Sequence, residues 1–254
     1  MTIDRDGSIR TAPLAVRCLA LSGSFETGLA PPRCFAALAG DFDGQGLSFG
    51  ALQWNLGRGT LQPLLRRVAD RHPAVFVGIF GTDADFLRDL LDAPPAEQLA
   101  WAQSIQARNV VGDPWAGRFE ALGRMAEFQA IQTEAAQGLF RDAVALARRF
   151  GLGSERAIAL MFDIRVQNGG IGRAVEARIR ADFDGLGSRP SGCDAEAPWL
   201  RIVAGRRADV ARSRWRDDVR RRKLVIADGA GIVHGRRVDL DADYGIGLKP
   251  AFAH

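Results

Sequence analysis

Apolar residues recur at helical spacing through most of this chain, and one glycine-rich stretch breaks the rhythm. Leu61, Leu64, Leu65 and Val68 fall at i, i+3, i+4 and i+7, which predicts a helix over 60–71 with one buried face. Thr82 is placed to cap a helix over 83–91, Pro94 and Pro95 terminate it, and Pro95 suits the first turn of the next one. Asp113-Pro114 opens a further helix running toward Met125. Residues 127–150 read as one long amphipathic segment closed by Gly151, with Phe128, Ile131, Leu139, Val144 and Leu146 as core positions. Ser154 then caps a helix that carries Asp163, with Glu155 favourable in its first turn. Residues 231–240 look like a short hairpin near the end of the chain.

The exception is residues 41–54, DFDGQGLSFGALQW, which read as a tight glycine turn leading into a strand that continues through Ala51, Leu52, Gln53 and Trp54. Asp43 then sits at the rim of a small sheet. Within residues 22–60, otherwise almost free of charge, Glu26 and Asp43 lie seventeen positions apart. Paired carboxylates in apolar surroundings suit a glycosidase, in which one acid stays protonated to donate to the leaving oxygen and the other is ionised. Asp41-x-Asp43-x-Gln45-Gly46 also matches the start of a calcium loop, but the twelfth position is Leu52 where a bidentate Glu is required. Asp163, on an apolar helix face, reads as a buried ion-pair partner for C-terminal arginines.

Asp43-Gly-Gln-Gly-Leu-Ser48-Phe-Gly50, followed by an apolar strand and Gly57-Arg58-Gly59, resembles the D-G-x-G-x-[ST]-x-G run of the bacterial chitosanases, glycoside hydrolase family 46, a branch of the lysozyme-like superfamily. A weaker match covers 157–170, AIALMFDIRVQNGG, like the family's apolar helix with an internal Asp; together the matches span about residues 12 to 175. The resemblance implies an α+β lysozyme-like fold, mainly helical, with a small antiparallel sheet around 34–56 lining a glycan cleft. It implies Glu26 as general acid, Asp43 as general base and Ser48 as the hydroxyl that helps hold the attacking water, in an inverting reaction with the carboxyl groups about 6.5 to 9.5 Å apart. Asp41, Gln45, Asn55 and Thr60 are expected to face the substrate, and Asp163 to belong to a supporting Arg/Asp network. The chain departs from the pattern at two places. Thr60 stands where chitosanases place the acid that reads a glucosamine ammonium, and Gln45 replaces a basic residue. Those departures favour an uncharged, N-acetylated glycan, with peptidoglycan as the expected partner, chitosan as the alternative, and a non-catalytic glycan-binding protein as the third reading.

With 254 residues and 47% hydrophobic content, the chain can bury a full core. The expected organisation is a catalytic core over 1–184, a Gly/Ser/Pro loop over 185–198 and a basic segment over 199–254 packed as part of the same domain. Residues 201–254 hold thirteen Lys or Arg against seven acids, a surplus suited to an anionic polymer or to pairing with Asp163. Nucleic acid is disfavoured as a partner, because the positive charge is confined to this tail, there is one Tyr, and no nucleic-acid signature occurs. Cys18, Cys34 and Cys193 read as free thiols, and the scattered His72, His234 and His254 supply no metal array, so neither metal nor cofactor is expected. No secretory signal or membrane span is legible, since Arg17 interrupts the apolar stretch 12–21. Delivery of such a hydrolase to the periplasm or cell wall would then use a phage holin or a contact-dependent secretion system, with a secretion component or an immunity protein as possible partners.

Overall fold

The computed structural model describes residues 9–187 and 190–252. Helix α1 (Leu14–Thr27) is buried nearly all round, from Leu14 to Phe25, as expected of an element at the centre of a core. Three short strands follow, β1 (Leu38–Ala39), β2 (Ser48–Phe49) and β3 (Trp54–Asn55), paired antiparallel in that order. Then come α2 (Gln62–Arg71), α3 (Pro73–Phe80), α4 (Ala84–Asp92) and α5 (Pro95–Ser104). The hairpin of β4 (Gln106–Ala107) and β5 (Val110–Val111) precedes α6 (Trp115–Arg124) and the long α7 (Ala126–Arg149). The chain ends with α8 (Glu155–Asn168), α9 (Arg173–Gly185), α10 (Ala197–Asp209), α11 (Arg216–Asp228), the hairpin of β6 (Ala230–Val233) and β7 (Arg236–Asp239), and α12 (Leu240–Tyr244). The protein is thus α+β, mostly helical with small antiparallel sheets. No helix among the described residues is long and apolar enough to cross a membrane.

Two compact units emerge, one spanning Glu26–Ala135 and the other combining the N-terminal stretch through Phe25 with Ala136 onward. In the first unit the sheet is fastened by period-two alternation. Leu47 and Phe49 are fully buried while Ser48 between them is half-exposed. The Phe49 ring stacks on Phe128 at 5.4 Å and meets Phe119 edge-on at 5.0 Å. Burying such a ring contributes about 2–3 kcal/mol, enough to fix the register of so short a strand.

In the second unit the Arg17 that breaks the apolar run is itself buried. Its guanidinium pairs with Glu155 in a bidentate contact, at 2.6 and 3.1 Å, and donates to the Ala12 and Gly245 carbonyls. Glu155 thus serves an ion pair as well as the helix dipole, and Ser154 caps α8 by accepting from the Ala157 amide at 3.0 Å. The basic C-terminal segment packs in this unit, α11 against α8 and α10, and α10 against α9. Of the loop read over 185–198, residues 188 and 189 lie outside the described residues; its later part forms a single 3-10 turn at Cys193–Ala195 before α10. Cys18 and Cys34 are buried and Cys193 partly buried, and none of the three is in a disulfide.

Several local expectations change. Residues 51–53 do not continue the strand: Gly50 and Gln53 take positive φ, +82° and 52°, and the Gln53 amide bonds back to the Gly50 carbonyl at 3.0 Å, so the chain turns and returns as β3. Thr82 does not cap a helix; it lies in a 3-10 turn, Gly81–Asp83, that leads into α4 without a side-chain cap. Helix α3, PAVFVGIF, has no readable amphipathic period because it is apolar almost throughout. On α7, Phe128, Ile131 and Leu146 are buried, but Phe140 and Ala143 take the inward positions beside the half-buried Leu139 and Val144.

Gln132 on α7, fully buried, holds two backbone groups of the first unit: its Oε1 accepts from the Ala51 amide and its Nε2 donates to the Phe35 carbonyl, both at 2.9 Å. Replacing it by Leu strands both groups without a partner, so Gln132→Leu is expected to lose about 2–4 kcal/mol. Urea unfolding followed by Trp fluorescence measures this; an unchanged midpoint would show that the hairpin is held by Phe49 packing alone.

Candidate active site

Glu26 occupies the last turn of α1, which ends where Gly28 takes φ +72°. Successive helical side chains diverge by about 100°. Phe25 therefore turns into the core, 4% exposed, and Glu26 outward, where it is exposed. The apolar surroundings that its sequence neighbours suggest do not cover it. The turn that carries Glu26 is nonetheless firmly seated. Ser24 Oγ bonds the Tyr244 hydroxyl at 2.7 Å and the Leu21 carbonyl at 2.8 Å, and the Arg222 guanidinium lies 5.2 Å from the Phe25 ring centroid.

Asp43 lies in the loop between β1 and β2, as the glycine pattern implies, and is exposed. Its Oδ1 accepts from the Gln45 amide at 3.3 Å, and its Oδ2 is 3.5 Å from Arg58. That pair is open to solvent and contributes little to stability, but it aims the carboxylate at the Gly57-Arg58-Gly59 turn. Gly57 must be glycine there, since a Cβ would come within 2.8 Å of the Gln45 carbonyl, while Gly59 supplies φ +69°. Gly46 packs against Leu99 and Ala102 of α5, with φ +83°.

The expected substrate-facing residues divide into two groups. Ser48, Asn55 and Thr60 come together: Asn55 Nδ2 donates to Ser48 Oγ at 2.9 Å, and the Asn55 amide donates to Thr60 Oγ1 at 2.8 Å. Asn55 Oδ1 also accepts from the Arg58 amide at 3.0 Å, so Asn55, itself buried, ties the hydroxyl of Ser48 to the turn beside Asp43. Asp41 and Gln45 are used differently. The Asp41 carboxylate accepts from the Gly46 amide at 2.9 Å and from Gln103 at 3.3 Å, and its amide donates to Gln106 Oε1 at 2.8 Å. This fastens the loop rather than presenting a free carboxylate. Gln45 binds the turn through its carbonyl, which accepts from the Gly57 amide at 2.9 Å.

Asp163 lies in the other unit and is completely buried. Arg222 Nε and Nη2 donate to its carboxylate at 2.5–3.0 Å, Ser22 Oγ donates at 2.9 Å, and Lys223 Nζ reaches both the carboxylate and Gln167 Oε1, the latter at 2.7 Å. Burial alone would push this carboxyl up; the Arg222 and Lys223 cations and their hydrogen bonds outweigh it and hold it well below the usual carboxylate range. The sequence flagged a cluster of C-terminal cations without telling its members apart. The structure selects Arg222 and Lys223 for Asp163, while Arg220 pairs with Asp209 at 2.6 Å and Arg214 lies over the Trp215 ring. Gln103, Gln106, Gln132 and Ser22 carry no local sequence signal for these roles, because the partners concerned lie more than sixty positions away. Among the described residues no three His, Cys, Asp or Glu side chains gather to hold a metal ion.

No protein-family model and no curated protein sequence matches the chain. Its structure is similar to chitosanase structures. One from Bacillus subtilis, a mutant complexed with 6 GlcN, has 19% identity and TM-score 0.54 over 91% of this chain and 97% of that one. A family 46 chitosanase from Gynuella sunshinyii complexed with chitotetraose has 15% identity and TM-score 0.53 over 90% and 97%. A third chitosanase, crystallised with its substrate, has 15% identity and TM-score 0.56 over 92% and 99%. At such identities the likeness is one of fold, and it runs the length of the chain.

Asp163→Asn is expected to destabilise the protein by about 3–5 kcal/mol, because it leaves the buried Arg222 and Lys223 without their anion. The folded carboxyl is held below the unfolded value of about 3.9. Its stabilisation is therefore present above that pH and lost as the pH falls through the folded value. Chemical denaturation at stepped pH from neutral to about 2 should show a smaller acid loss in Asp163→Asn than in the parent; equal losses would mean that other carboxylates dominate.

Proposed function

We propose that the protein is an inverting glycoside hydrolase acting on a β-1,4-linked amino-sugar polymer, with peptidoglycan the preferred substrate. The observation that carries the proposal is the combination of a full-length chitosanase-like fold with Glu26 at the end of α1 and Asp43 on the loop that leads into the strand bearing Ser48. In this reading Glu26 protonates the glycosidic oxygen as it departs. Asp43, as carboxylate, takes a proton from a water held by Ser48, and the resulting hydroxide equivalent attacks the anomeric carbon from the opposite face, so no covalent intermediate forms. Exposure of both acids to solvent is compatible with this chemistry, because the glycan itself supplies the apolar ring faces that exclude water when bound. Asn55, bonded to Ser48, orients the hydroxyl.

Thr60 supports the choice of substrate. Its hydroxyl closes a turn onto Asn55, at the sequence position where an acid would be needed to pair a glucosamine ammonium. An ammonium without a partner weakens binding. The alternative reading, a chitosanase, is favoured by the structural neighbours whose complexes contain GlcN oligomers. Glu26→Gln and Asp43→Asn should each lower turnover by about 10²- to 10⁴-fold with the fold intact; near-normal turnover by Glu26→Gln would end the glycosidase reading. Initial rates on purified sacculi and on soluble chitosan, at low and high salt, decide the substrate. Release from sacculi that weakens as salt rises is expected, whereas chitosan cleavage with no release from sacculi would restore the chitosanase reading.

A further inference from the structure

Between Glu26 and Asp43 the chain runs along one side of a groove of about 460 Å³ in the first unit. Leu29, three residues beyond Glu26, and Phe42, next to Asp43, both line it, with Leu38, Ala39 and Val110. The floor is held narrow by Gly40: a Cβ there would fall 2.0 Å from the Asn109 carbonyl of the β4–β5 hairpin, so the two backbones are in contact. Phe42 and Val110 are 74% and 65% exposed, an apolar surface beside a site meant for a hydroxyl-rich polymer. At the rim, Glu120 and Arg124 pair with each other. Arg33 is exposed and makes no ion pair among the described residues, which leaves the rim with a surplus positive charge.

We propose that this groove receives the peptide branch of peptidoglycan, an inference that rests on the substrate reading above. Alternate sugars of that polymer carry a lactyl ether extended by a short peptide, beginning with methyl side chains and bearing a carboxylate on its second residue. An extended chain advances about 3.3–3.6 Å per residue. The methyl groups of a branch leaving a sugar at Glu26 and Asp43 would cover Phe42, Val110 and Leu29, and its carboxylate would reach the rim at Arg33. Burial of the apolar wall drives the contact, and the Arg33 guanidinium offers a forked donor matched to a carboxylate. A bare glycan carries hydroxyls throughout, covers little of this wall and offers Arg33 no anion. The groove is therefore a specificity site for peptide-bearing strands.

The test compares two substrates from the same wall, intact sacculi and glycan strands stripped of peptide by an amidase, with Arg33→Glu and Val110→Ser as the variants. Both residues are exposed, so neither change disturbs the core. Each variant is expected to lose about tenfold in rate on sacculi, mainly through KM, and to cleave stripped strands at the parent rate. Titration with a muramyl tripeptide should show about tenfold weaker binding to Arg33→Glu, with an N-acetylated chitobiose unaffected. Equal losses on both substrates, or no loss on either, would overturn the inference while leaving the hydrolase reading standing. Concentration-dependent dimerisation of the parent that Val110→Ser abolishes would also overturn it, since the groove would then be filled by a second copy. A parent protein that cleaves neither substrate refutes the peptidoglycan reading itself, and this inference with it.

Discussion

A carboxylate with no access to water, Asp163, organises the second unit. Moving it from water into the interior is strongly unfavourable, and only a full set of donors makes the burial tolerable. The donors come from two helices far apart in sequence, Ser22 from α1 and Arg222 and Lys223 from α11, and they meet Asp163 on a third, α8. One charge therefore fixes the relative positions of three elements. Because Ser22 stands one turn before Glu26, the same contact sets the depth and rotation of the helix end that bears the proposed acid. A second buried pair, Arg17 with Glu155, repeats the device near the other end of α1, so this helix is pinned twice to α8. Directional contacts of this kind specify register where apolar packing alone would allow sliding.

The first unit solves a different problem. Its sheet has only two residues per strand, far too little to be stable alone. Phe49 provides the anchor by entering the aromatic cluster of Phe119 and Phe128, and Gln132 satisfies the backbone groups that the tight turn leaves over. With β2 anchored, the loop before it is shaped by Asp41, whose carboxylate accepts from the Gly46 amide and Gln103 and whose own amide donates to Gln106. Asp43 projects from this braced loop into solvent. The proposed base is held by backbone geometry and the proposed acid by helix seating.

Local sequence pattern is enough to specify the helical character beyond residue 60, the glycine turn that places Asp43 at a sheet rim, the capped start of α8 and the C-terminal hairpin. Each depends on neighbours within a few positions: helical periodicity, a Ser accepting from an amide three residues on, or glycines at positive φ. It also singled out Asp163 as a buried partner for C-terminal cations, because an isolated acid on an apolar face demands one. Tertiary structure alone decided which cations answer it, Arg222 and Lys223 rather than the neighbouring Arg220 and Arg221. It decided as well that Asp41 braces a loop while Asn55 steers Ser48, and that Glu26 faces water despite its apolar neighbours. Those outcomes turn on contacts across long sequence separations and on which way a helix face points, and local spacing carries no information about either.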